Sequence, residues 1–130
     1  MSIRHIIILA SVLLAACKTP AGTFEPACEA FAGDRITLRQ SGFTWEKFTD
    51  VRQVDDDGNL IDPFPGFPKQ GRVDRQGAEL NMIATDGAVL PTMWLHETDG
   101  QVFLLTEQQR AELEGGQPMD ECALKLRESA

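Results

Sequence analysis

The sequence predicts a mainly β protein: a small antiparallel barrel or curled meander of about six strands, with one short helix near the C-terminus. Three observations carry this. Short runs alternate apolar and polar residues, the period at which a half-buried strand shows one face to a core. Turn signals, Ser41-Gly42, Asp86-Gly87 and Asp99-Gly100, separate several of those runs at hairpin spacing. Helix punctuation occurs in one place only, which argues against the repeated helices of a βα architecture.

Taken in order, Arg35 to Arg39 alternates about Ile36 and Leu38, and Ser41-Gly42 turns it into Phe43 to Phe48. That second run is ambiguous, since Trp45, Phe48 and Val51 recur every third residue while Phe43 and Trp45 alternate; the strand reading is preferred. Ala78, Leu80, Met82 and Ala84 alternate with polar neighbours up to Asp86-Gly87. Thr92 to His96 and Val102 to Leu105 flank Asp99-Gly100 as a hairpin. Thr106 and Gln109 match a capping box, and the short helix they open stops at Gly115-Gly116. The last strand is Cys122 to Arg127, whose alternation puts Cys122, Leu124 and Leu126 on one inward face. No repeat of 20 to 50 residues is evident.

The N-terminus carries an address. Met1 to His5 is short and positively charged, Ile6 to Leu14 is almost wholly aliphatic, and Ala15-Ala16 are small. This is the order of a signal peptide, and the apolar run is well short of the roughly 20 residues that span a bilayer. With Cys17, the segment Leu14-Ala15-Ala16-Cys17 resembles the lipobox of bacterial lipoproteins; the alternative is a plain secretory signal. The resemblance implies a diacylglyceryl group on Cys17, cleavage before it and, because Lys18 is not Asp, delivery to the outer membrane. The expected organisation is then a signal peptide over 1–16, lipidated Cys17 with a Pro- and Gly-containing tether over 17–27, and one periplasmic domain over 28–130. With Cys17 acylated, Cys28 and Cys122 remain, and in an oxidising compartment they are expected to pair.

Charge limits the partners. The chain holds 12 Lys and Arg against 20 Asp and Glu, and the signal peptide contains one of those cations and none of the acids. An acidic surface argues against nucleic acid, whose binding depends on neutralising phosphates, and against adsorption to anionic lipid.

Chemistry-bearing constellations are sparse. Val54 to Leu60 contains three successive aspartates and Gly58, like part of a calcium loop, yet aligning the glycine leaves Gln53 and Phe64 where carboxylate ligands belong. A solvated turn is the better reading, and with His96 the only histidine after the signal no metal or cofactor is expected. Serines outside the signal are Ser41 and Ser129, tyrosine is absent, and no nucleophile has a recognisable setting beside His96. Trp45 and Trp94 are read as the largest pieces of a small core, with a sugar or lipid platform as the alternative. The least ordinary stretch is Asp62-Pro63-Phe64-Pro65-Gly66-Phe67-Pro68. Its Phe64, Pro65 and Phe67 are candidate partner-binding residues, unless the aromatics fold back to cap a barrel end, and exposure decides between the two. The expected function is that of a lipid-anchored envelope lipoprotein with a non-catalytic binding or structural role, engaging an envelope protein or wall component. The alternatives are a carboxylate-dependent hydrolase of wall polymer and an inhibitor of a wall-degrading enzyme.

Overall fold

Eight antiparallel strands follow one another around a closed barrel in a computed structural model that describes residues 19–127. The strands are β1 (Gly22–Pro26), β2 (Ala32–Leu38), β3 (Gly42–Thr49), β4 (Lys69–Gln76), β5 (Glu79–Ala84), β6 (Met93–Thr98), β7 (Gln101–Leu105) and β8 (Leu124–Leu126), with helix α1 (Glu107–Glu114) between β7 and β8. The barrel closes where β1 pairs with β8, Phe24 opposite Leu126 and Pro26 opposite Leu124. Closure removes the free edges that make an open sheet of this size prone to pairing with other chains.

The mainly β class, the barrel and the single short helix agree with the sequence, and β3 is a strand throughout. Two strands are additional. β1 lies inside the segment read as a tether, which leaves only four residues between Cys17 and Gly22. Its one large apolar residue, Phe24, is fully buried, so it becomes a strand through its neighbours β2 and β8 rather than through its own pattern. β4, Lys-Gln-Gly-Arg-Val-Asp-Arg-Gln, alternates in burial but has a single apolar side chain, Val73, and so has almost no hydrophobic signal. A third difference concerns Cys122. It occupies an exposed turn ahead of β8, its N–H donating to Asp120 Oδ1 at 2.8 Å, so its side chain does not join Leu124 on the inward face.

The interior is filled by large side chains. Phe24, Ile36, Leu38, Phe43, Leu80, Met82 and Leu104 are essentially inaccessible. A smaller cluster of Phe103, Leu105 and Ala123, with Trp94, Leu113 and Met119, lies on the other face of β7, beneath α1. Alternation explains the split: Leu104 points into the barrel, and its neighbours 103 and 105 point outward to the helix. The capping box forms as expected, with Thr106 Oγ1 accepting from Gln109 N at 3.1 Å and Gln109 Oε1 from Thr106 N at 3.0 Å.

Candidate functional site

An up-and-down barrel places successive connections at alternate ends, and here the two ends differ. At the proximal end, where the chain enters β1 and leaves β8, the connections are residues 39–41, 77–78 and 99–100. These are tight polar turns; Asp99 (φ 51°) and Gly100 (φ 76°) take the left-handed pair of a two-residue hairpin. At the distal end they are 27–31, 50–68, 85–92 and 106–123. Among the described residues, every large hydrophobic side chain that is exposed belongs to the distal connections: Phe31, Val51, Val54, Leu60, Ile61 and Val89, from 44% to 88% exposed. Long apolar-bearing loops on one end of a rigid barrel are where a binding surface is built.

The core of this end is an ion-paired wall. Asp34 Oδ1 accepts from Lys47 Nζ at 2.8 Å and from Trp45 Nε1 at 3.0 Å, which satisfies the indole N–H of a 96% buried ring. A notch of about 290 Å³ opens beside this wall, lined by Asp34, Trp45, Lys47, Met93, Thr106 and Gln109. Trp45 is therefore a core residue with a polar handle, not an exposed platform. Lys47 also borders a shallow groove of about 300 Å³ formed by β3 from Glu46 to Thr49 and the Pro/Phe segment. These β3 residues pair with β2 on one side, whereas pairing with β4 stops at Trp45, so the Pro/Phe segment lies along an otherwise open edge. Prolines lack the N–H that would extend the sheet there.

Phe64 and Phe67 are half-buried and Pro65 is exposed. Phe67 packs against the barrel core, with Lys47 Nζ 5.1 Å and Lys69 Nζ 5.9 Å from its ring centre. Capping thus accounts for Phe67, while Phe64 and Phe67 both border the groove. Four of the six more exposed aliphatic and aromatic residues of this end, Val51, Val54, Leu60 and Ile61, lie in the preceding hairpin, 50–62. The sequence does not single out Val51, Val54, Leu60 and Ile61 as binding residues, because isolated aliphatics among aspartates have no period of their own.

The aspartate-rich turn is a hairpin tip. Val54 bridges Leu60, Gly58 takes φ 83°, and Asp55 Oδ1 accepts from Asp57 N and Asn59 N, both at 2.9 Å. The carboxylate thus holds its own turn. Cys28 and Cys122 are joined with Cα atoms 4.7 Å apart, linking the first and last distal connections. Cys17 lies outside the described residues.

His96 faces outward on β6 and borders a groove of about 420 Å³ with Trp94, Leu105, Arg110 and Leu113. Arg110 stacks 3.9 Å above the Trp94 ring and pairs with Glu107 at 2.7 Å and Glu114 at 2.8 Å. The hydrogen bond from Arg110 holds the Glu107 carboxyl below its usual range, and Lys69 does the same to Asp86. Both shifts run opposite to what a general acid at neutral pH needs. Among the described residues no three His, Cys, Asp or Glu side chains gather as a metal site. Comparison with protein families, with curated proteins and with solved structures finds no match to this chain.

Proposed function

We propose that the protein is a lipid-anchored envelope lipoprotein whose packed barrel is a non-catalytic scaffold, presenting its distal end to a protein or wall component of the envelope. The observation that carries this reading is the segregation, among the described residues, of the exposed large hydrophobics to the end opposite chain entry. A lipid on Cys17 would sit five residues before β1, a reach of at most about 17 Å, so the proximal end lies against the membrane and the distal end faces away from it. The filled interior supports surface docking over carriage of a ligand inside the barrel.

Anchoring is tested by Cys17→Ser, which removes the thiol that accepts the lipid. The variant is expected to lose the lipid and to accumulate as an uncleaved precursor or a soluble form. A processed species of unchanged size that stays in the pellet would refute the anchor. Catalysis is tested separately with purified cell-wall sacculi, from which the full-length protein is expected to release no soluble fragments. Release that disappears on a single carboxylate substitution in a folded variant would establish the hydrolase instead.

A further inference from the structure

We infer that the occupant of the distal end is a protein with a basic surface, gripped at an apolar centre supplied by the β3–β4 hairpin. This rests on the docking reading above and adds the chemistry of the partner. Two independent features of the fold lead to it.

The first is a preformed apolar contact. Val54 and Leu60 oppose each other across an antiparallel bridge, so their side chains share one face, and they are 59% and 69% exposed. The hairpin that holds them is braced by Asp55 N to Asn59 O and Ile61 N to Gln53 O, each 2.9 Å, and by the two bonds to Asp55 Oδ1. Apolar side chains carried on a backbone already held in place need less ordering on burial, which favours such a contact. Val51 and Ile61 extend the exposed apolar area at the base of the same hairpin.

The second is the distribution of charge. Setting aside α1, which packs on the barrel wall, the distal connections hold nine carboxylates and a single guanidinium, Arg52. The strands, the proximal turns and Arg127 just after β8 hold seven carboxylates and eight Lys or Arg. The protein is therefore not uniformly acidic: its net negative charge is gathered in the distal connections, and five of their nine carboxylates lie in 50–68, the connection that carries the apolar hairpin. Solubility alone needs no such polarisation. A predominantly acidic rim about a hydrophobic centre steers a basic protein surface into register and disfavours nucleic acid and anionic lipid. A neutral glycan would gain nothing from it.

The test places a photo-cross-linking amino acid at Leu60 of the full-length lipoprotein in its own cells, with Gln40 in a proximal turn as the control position. The expected adduct, from Leu60 and not from Gln40, is a protein of basic isoelectric point. Purified, that protein is expected to bind the detergent-solubilised lipoprotein with an affinity that falls about tenfold for Asp50→Asn with Asp56→Asn and Asp57→Asn, and about tenfold for Val54→Ser with Leu60→Ser. Unchanged melting temperatures of both variants exclude unfolding as the cause. An adduct to an acidic protein, to a glycan strand or to a second copy of this chain overturns the inference while leaving distal docking in place. So does a basic partner whose affinity ignores the aspartate substitutions. Absence of any Leu60 adduct, or equal adducts from Gln40, removes both the inference and the docking reading.

Discussion

Replacing Cys28 and Cys122 together by serine is expected to lower the stability of the barrel by about 3 to 5 kcal/mol. The two cysteines are 94 residues apart, so the bond removes a very long loop from the unfolded ensemble. Chain entropy values that constraint at about 4.7 kcal/mol for a loop near 100 residues, an upper figure because real unfolded chains are already compact. The native side of the balance points the same way. β8 is only three residues long and meets β7 through two paired positions, and it alone closes the barrel against β1. The disulfide fixes the chain just ahead of that strand. Urea unfolding of the wild type, with and without reductant, against the double serine variant measures the effect. Coincident midpoints would show that the β1–β8 seam holds without the covalent link.

Gly71→Ala is expected to cost about 3 kcal/mol or more, or to prevent folding altogether. Gly71 lies between Phe43 of β3 and Ala84 of β5 in the ladder. A Cβ there would stand 1.9 Å from the carbonyl oxygen of Ile83 and 2.8 Å from the Cα of Ala84. Both obstacles are backbone, so no side-chain rotation relieves the collision and β5 must move away from β4. Gly58→Ala is the contrast: nothing lies within 4 Å of its added carbon, and the cost is the left-handed backbone alone, about 1 kcal/mol. In a domain of this size about 3 kcal/mol lowers the melting temperature by more than roughly 10 °C. Equal melting temperatures for the two variants would show that β4 and β5 yield easily at this point.

Gly71 also shows why β4 was not legible. A strand is found in sequence by its apolar period, and here the inward positions include a glycine chosen for closeness of approach, not for burial of a side chain. β1 escaped for a related reason: a five-residue strand with one buried phenylalanine, bounded by Gly22 and Pro26, has the composition of a linker. Where local chemistry alone decides the structure, the reading was secure. The hairpin at Asp99-Gly100 follows from the left-handed backbone these residues tolerate, and the start of α1 from the reciprocal bonds of Thr106 and Gln109.

The candidate site depended on a global property. In a meander each added strand sends the next connection to the opposite end, so omission of β4 puts 85–91 at the end away from the 50–62 hairpin. With β4 in place, Val89 and Leu60 stand at the same end, joined by Phe31. The sequence by itself determined the β class, the tight turns, the capped helix and the expectation that Cys28 and Cys122 pair, because each depends on local pattern or on the count of cysteines. Only the tertiary structure decided the closure of β1 on β8 and the gathering of exposed aliphatics and carboxylates at one end. Pairing between residues about a hundred positions apart, and the parity of eight strands, leave no mark on any short stretch of chain.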